Sequence, residues 1–311
     1  MTALASTLLP AHRPTASATP IRRRVRVPEA AILLPIIVCL VAFYLAPIGF
    51  SIWGSFQAEG TLMTGGAFVG GDHYASLMMD RRFHNSLWVT VVFTVSTVVA
   101  TYVCGLAAAL LLNRRFRGSA IVGSALLIPW TMPLVVVAVV WGWLLDYQFG
   151  AVNYVLERVG IVSHQVGFLT DPAIAIWSVA IAQVWRLFPL AMVTLLAALK
   201  AIPPDLYEAA VIDGASTVQA FRFITLPAIR ATTVALVLLL GIWAFGRAFT
   251  IIFILTGGGP AGATETLVVQ TFLEGFRNFH LERASAMGTI ILVLSIAFTL
   301  LYLRANRDRN E

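Results

Sequence analysis

Charge is scarce in this chain. Of 311 residues, 12% are charged and 59% are hydrophobic, where a soluble domain carries roughly 25% charged residues. That scarcity, with a mean hydropathy of +0.86, excludes an ordinary water-soluble globule. Lysine is almost absent: Lys200 stands alone beside 20 arginines. A P-loop needs a glycine-rich turn ending in Lys-Ser or Lys-Thr, because backbone N–H groups and the lysine together wrap the phosphates. Lys200 lies in Ala198-Leu199-Lys200-Ala201, so the chain has no such cradle for ATP. The two cysteines, Cys39 and Cys104, fall in apolar runs, which gives no metal-binding spacing and argues against a structural disulfide. There is no His-Glu-x-x-His and no Gly-x-Ser-x-Gly. His12, His73, His84, His164 and His280 fall in expected tails, loops or span edges, where solvation is the expectation. No catalytic residue, metal site or cofactor is expected.

Long apolar runs are what the chain does have. A bilayer core takes about 20 apolar residues per helix. Six stretches qualify, at about 29–56, 86–112, 120–145, 173–199, 231–255 and 285–304. Helices are expected because backbone groups in lipid must be bonded within their own segment. A membrane barrel would show alternating strands of about ten residues, and none is apparent. The expectation is an all-α, polytopic membrane protein of six transmembrane helices. Residues 1–28, rich in Ala, Thr, Pro and Arg, are expected to be a disordered cytoplasmic tail, 29–304 the transmembrane domain with a polar segment at 200–230, and 305–311 a second cytoplasmic tail. The apolar run after Arg22-Arg23-Arg24 is too long for a cleaved signal and reads as an anchor.

The positive charges are asymmetric. Fourteen of the 21 fall on the side of the termini, among them Arg13, Arg22, Arg114, Arg117, Lys200, Arg222 and Arg304. Five, namely Arg81, Arg82, Arg158, Arg277 and Arg283, fall on the other side. The positive-inside rule therefore puts both termini and the 200–230 segment in the cytoplasm. The net charge of +6 reads as topology. Nucleic-acid binding is not expected, since no basic patch is interleaved with exposed aromatics.

The 200–230 segment has a local logic. Pro203-Pro204 stops the fourth span. Asp205 and Glu208 then occupy the first turn of a short helix, where carboxylates favour the positive end of the dipole. Leu206, Ala209, Ala210 and Asp213 share one face. Gly214 suits the position after a helix, where positive φ is often needed. Ser216-Thr217-Val218-Gln219 has capping-box spacing for a second short helix, which Leu226-Pro227 closes. A polar surface linker with no partner would also fit this composition.

The full pattern says more. Glu208-Ala209-Ala210, Gly214 six positions after the glutamate, and Ile224-Thr225-Leu226-Pro227 resemble the cytoplasmic coupling loop of ABC importer permeases. The resemblance runs from about residue 30 to 303. Leu34-Pro35, Ala46-Pro47-Ile48 and Ser55-Phe56 are similar to the first span of carbohydrate-type permeases. Val69-Gly70-Gly71-Asp72-His73-Tyr74 resembles a motif of that branch, with His73 where Asn is usual. Leu255-Thr256-Gly257-Gly258-Gly259-Pro260 and Ala263-Thr264-Glu265-Thr266-Leu267 resemble its extracytoplasmic loop, as in the first permease of maltose, glycerol 3-phosphate or trehalose systems. The resemblance implies the type I ABC importer permease fold. It also implies a second permease, a dimeric ATP-binding cassette ATPase that docks on Asp205, Leu206, Glu208, Ala209, Ala210, Asp213, Gly214, Leu226 and Pro227, and an extracytoplasmic solute-binding protein that touches Gly257, Gly258, Gly259 and Pro260. The solute implied is an oligo- or disaccharide. A non-sugar solute such as glycerol phosphate is the alternative, and an autonomous secondary transporter a further one. The latter is expected to carry intramembrane carboxylates and paired repeats, and neither is visible.

Two charges interrupt the apolar runs. Arg186 sits near the middle of the fourth span, in Gln183-Val184-Trp185-Arg186, and Arg247 in the outer half of the fifth, after Trp243. A charge near mid-membrane costs at least about 2.5–3.5 kcal/mol on insertion scales, so it should face a cavity or a partner. Glu29, at an edge, is the sole acid in the expected spans. Gln183, Trp185, Arg186, Trp243 and Arg247 are therefore expected to line a pathway for a neutral or weakly charged sugar. The tryptophans would serve equally as packing or lipid-facing residues. Pro129, Pro133 and Pro189 mark candidate kinks, as hinges or as simple packing features.

Overall fold

A computed structural model describes residues 29–60, 66–114 and 116–307. The expected tail at 1–28 and the last four residues, 308–311, of the expected tail at 305–311 lie outside the described residues. Every regular element among the described residues is helical. The one β contact is an isolated bridge between Gln57 and Phe68. The chain divides into two compact units, residues 1–48 and 49–311. In the first, α1 (Glu29–Leu40) continues through a π-helical turn at Val41–Leu45. Its side chains from Leu33 to Ile48 are exposed within the unit, as suits a helix solvated by lipid. Helix α2 spans Ala46–Gly54.

The second unit continues with α3 (Asp72–Met79), α4 (Arg81–Asn113), α5 (Ser119–Thr131), α6 (Leu134–Leu144), α7 (Ala151–Arg158) and α8 (Ala175–Lys200). Helices α9 (Asp205–Ile212), α10 (Thr217–Ala220) and α11 (Leu226–Ala228) form the polar segment. Helices α12 (Arg230–Gly246), α13 (Phe249–Thr256), α14 (Leu267–Phe272) and α15 (Leu281–Arg307) complete the unit. Among the described residues, four helical runs are long and apolar enough to cross a membrane, and two bent pairs raise the number to six.

The central pair is α4 against α8. Gly105 explains how closely they pack: a Cβ there would collide with the Ala191 Cβ and lie 3.0 Å from the Met192 nitrogen. Small residues let helix backbones approach where lipid offers no hydrophobic driving force. One cluster gathers Leu187, Met192, Leu195, Ile229 and Leu240; another gathers Phe93, Val137, Val179, Ile251 and Ile252.

The structure bears out one candidate kink and corrects three expectations. The third span bends at Pro133: α5 and α6 meet at 98°. Pro133 lacks an N–H and pushes Met132 to extended backbone, φ −76° and ψ 138°. Pro189, by contrast, lies within the unbroken α8. The fifth span breaks after Gly246: Arg247 and Ala248 leave helical ψ, and α13 packs on α6 while α12 packs on α4 and α15. The last helix runs to Arg307 and takes in the first three residues of the expected tail, 305–307. His73 is buried and hydrogen-bonds the Gln57 carbonyl at 2.8 Å, so it is not solvated.

Candidate functional site

The two breaks open onto one cavity. Trp130 sits in the last turn of α5 and Leu134 in the first of α6. Trp243 sits in the last turn of α12, Arg247 at the break, and Thr250 in the first turn of α13. With Gln183 and Arg186 from α8 they line a cavity of about 410 Å³. Irregular backbone at membrane depth is tolerated where it lines a cavity, because water or solute then satisfies the freed groups.

The four large side chains form a layered stack. Trp130 and Trp243 lie 5.8 Å apart between centroids, 7° from parallel. The Arg186 guanidinium sits over Trp130 at 5.6 Å, and that of Arg247 over Trp243 at 5.6 Å. Each cation meets the negative face of an indole. No carboxylate lines the cavity, and among the described residues neither arginine forms an ion pair. Gln183 is buried at 3% exposure, its Oε1 has no hydrogen-bond partner, and the Arg186 Nε is likewise unpaired.

Of the expected pathway residues, Gln183, Arg186, Trp243 and Arg247 meet here and Trp185 does not. Trp185 packs edge-on against Trp141 at 5.9 Å and lines a separate apolar hollow with Trp177 and Phe188. The helical period explains the split. Gln183 and Arg186 are three apart and share a face, whereas Trp185 is rotated about 100° from Arg186. Sequence reasoning missed Trp130. Its position beside Pro129, four residues ahead of Leu134 across a proline break, was the available signal.

The polar segment lies beside the Asn113 end of α4, where a hollow is lined by Asn113, Arg114, Tyr207, Thr217 and Thr225. Asp205 and Glu208 occupy the first turn of α9. Gly214 takes φ +78° with open space around it. Ser216 Oγ accepts from the Gln219 N–H at 3.3 Å, and Gln219 Oε1 accepts from the Ser216 N–H at 2.7 Å, a complete capping box. The Tyr207 hydroxyl meets Thr225 Oγ1 at 2.8 Å and ties α9 to the π-helical turn Phe221–Thr225 that joins α10 to α11. Leu226 and Pro227 lie in the final turn before a 66° bend into α12. Leu206, Val211, Ile212 and Val218 are exposed, Ile212 at 86%.

The glycine loop is held at the other end of α4. Arg82 grips Glu265 by two parallel bonds, Nε–Oε1 at 2.7 Å and Nη2–Oε2 at 3.2 Å, and reaches Glu274 at 3.2 Å. Asn85 donates to the Gly262 carbonyl at 2.9 Å, and Thr90 Oγ1 accepts from the Leu267 N–H at 2.8 Å. Thr264 donates to the Gly259 carbonyl at 2.6 Å. Gly257 and Gly258 take φ of +61° and +92°, which a side chain disfavours. At about 1.5 Å per helical residue, the length of α4 puts this loop roughly 45 Å from the polar segment. Sequence reasoning misses this clamp, because Arg82 carries no local signal beyond its charge. Among the described residues no group of His, Cys, Asp or Glu is placed to hold a metal ion.

Comparison with known proteins gives a consistent result. Residues 101–310 match the family described as "Binding-protein-dependent transport system inner membrane component". The chain is 36% identical to the trehalose/maltose transport system permease protein MalF of Thermococcus litoralis, over 90% of this chain and 93% of that protein. It is 32% identical to the sn-glycerol-3-phosphate transport system permease protein UgpA of Agrobacterium fabrum, over 86% and 90%. Its fold is similar to a chain in the crystal structure of a bacterial ABC transporter that imports the acidic polysaccharide alginate, with a TM-score of 0.79 at 23% identity, covering 91% and 96%.

Proposed function

The chain belongs to the family of binding-protein-dependent transport system inner membrane components, and on that premise we propose that it is the permease subunit of an ATP-driven saccharide importer. It forms one half of the translocation pathway. A second permease supplies the other half, a dimeric ATPase hydrolyses ATP, and a solute-binding protein delivers the sugar. The chain itself is non-catalytic, consistent with the lack of any P-loop lysine.

The observation that carries this proposal is the α9–α11 segment. Its capping box and the Tyr207–Thr225 bond make it a stiff element. Its exposed apolar residues Leu206, Val211, Ile212 and Val218 await a protein partner, since a cytoplasmic surface gives them no lipid. Tyr207, Ile224 and Ile229 belong to the same cluster as Leu187 and Leu240. A push on the segment is therefore delivered to α8 and α12, which carry the cavity. In this mechanism the Gly257–Pro260 loop, braced by Arg82 and Glu265, meets the binding protein. The cavity of Gln183, Arg186, Trp243 and Arg247 holds the sugar in transit. Both termini and the segment face the cytoplasm, as the arginine asymmetry requires.

The docking surface is tested by crosslinking. An Ile212→Cys chain, with Cys39 and Cys104 changed to Ala, should form a disulfide with cysteines scanned across the ATPase surface in the assembled importer. Failure to crosslink anywhere, with the complex intact, would refute the docking assignment.

A further inference from the structure

We infer, on the proposal that the cavity lies on the solute pathway, that the solute it passes carries a carboxylate or phosphate group. The argument begins with charge. Arg186 and Arg247 face one cavity of about 410 Å³ that has no acidic lining residue. Two arginines of the chain meet carboxylates: Arg82 with Glu265 and Glu274, and Arg283 with Asp80. Among the described residues, the two cavity arginines have no counter-charge.

Stacking does not use up their binding capacity. An indole covers a guanidinium face, at Arg186 over Trp130 and at Arg247 over Trp243, while the N–H donors radiate from the edge of the guanidinium plane. Nor do the helix dipoles neutralise the site. The cavity is lined by the starts of α6 and α13, at Leu134 and Thr250, and by the ends of α5 and α12, at Trp130 and Trp243. Ends of opposite sign meet there and largely offset one another. What remains is two positive charges at one cavity, Arg186 half-buried and Arg247 exposed in this chain.

A sugar hydroxyl accepts a hydrogen bond but leaves both charges in place. A carboxylate or phosphate neutralises at least one and takes charge-assisted, bidentate bonds from a guanidinium. The Gln183 Oε1, buried and unpaired, is an acceptor suited to a hydroxyl of the same solute, and the indole faces suit a sugar ring. The arrangement departs from the neutral or weakly charged sugar expected from sequence. Once Trp130 joins the two arginines in a single stack, the local charge is twofold and unshared.

The test uses the complete importer in liposomes, with its second permease, ATPase and binding protein. Matched probes are digalacturonate against its dimethyl ester, and trehalose 6-phosphate against trehalose. The two pairs separate a carboxylate from a phosphate requirement. The charged member of one pair should enter at least tenfold faster. The Arg186→Gln, Arg247→Gln double variant should bring that ratio close to one, and Arg247→Lys should retain most of it. If the double variant does not assemble, Arg247→Gln alone reads the same ratio, because that side chain is exposed in this chain. Preferred entry of a neutral sugar, surviving the arginine changes but lost in Trp243→Ala, would overturn the inference and leave the cavity as the pathway. A preference for the charged member that survives the arginine changes belongs to the binding protein and overturns the inference too. Uptake indifferent to both the arginine changes and Trp243→Ala would overturn the pathway assignment itself.

Discussion

Trp130 and Trp243 lie face to face across two helix breaks, 5.8 Å between centroids and 7° from parallel. The first sits in the last turn of α5 before a proline break, and the second in the last turn of α12 before the break at Arg247.

The stack yields a directional prediction. An aromatic pair contributes about 0.5–1.5 kcal/mol beyond area burial, and a desolvated cation–π contact up to about 2 kcal/mol. Trp243→Ala should lower solute uptake by roughly ten- to a hundredfold on that scale. Trp185→Phe should change uptake less than about twofold, because Trp185 faces Trp141 outside the cavity. Equal losses from both substitutions, in uptake assays on assembled importer, would show that the cavity does not discriminate between them.

The turn after α9 should resist side chains. Gly214 sits at φ +78° in open space, so Gly214→Val is strained by backbone conformation and not by collision, at a cost of order 1–3 kcal/mol. Ser216→Ala removes half of the capping box and costs about 1 kcal/mol. Glu208→Lys reverses a charge in the first turn. All three should leave membrane insertion intact while lowering solute-stimulated ATP hydrolysis, with Gly214→Val the most severe. Normal stimulation in all three would remove this segment from the coupling path.

Helix contact at Gly105 sets a stability prediction. Gly105→Val drives a branched side chain into Ala191 and the Met192 backbone, and overpacking typically costs about 1–3 kcal/mol. The detergent-purified complex should lose several degrees of thermal midpoint, and the yield should fall. Gly123→Val, where a Cβ would meet only Leu112 side-chain atoms at 3.6 Å or beyond, serves as the tolerant comparison.

The clamp on the glycine loop should show coupling. Arg82→Gln leaves Glu265 and Glu274, at 7% and 6% exposure, without their arginine. Because the Arg82 side chain is itself 44% exposed, the loss is set at about 1–2 kcal/mol, below the value for a fully buried pair. Glu265→Gln alone should also destabilise. The double variant should cost less than the two single losses added together, as expected for residues in direct contact. Strict additivity of the thermal shifts would mean that the pair contributes no interaction energy.

Membrane orientation is open to cysteine labelling. In a chain lacking native cysteines, Ala261→Cys and Asp213→Cys both present exposed positions. An impermeant maleimide should label position 261 in intact cells and position 213 only after permeabilisation. The reverse pattern would invert the orientation.

Sequence alone determined the features with local physical causes. Long apolar runs required membrane helices, and arginine counts gave an expected orientation. Pro203-Pro204, Gly214 and the Ser216/Gln219 pair shaped the polar segment, because caps and turns depend on neighbours within a few residues. Spacing also placed Gln183 beside Arg186 and Trp243 beside Arg247, and the same spacing, applied strictly, would have set Trp185 apart. Tertiary structure decided the rest. It bent the third span at Pro133 but left α8 whole through Pro189, since whether a proline bends a helix depends on the packing around it. It brought Trp130 onto Trp243, and Glu265 and Glu274 onto Arg82, contacts that link residues more than a hundred positions apart. The physical reason is the solvent. In water, an apolar stripe tells which face of a helix turns inward, whereas in a bilayer lipid and protein interior are almost equally apolar. A span can then be recognised from its composition while its rotation, and hence its partners, is set only by packing.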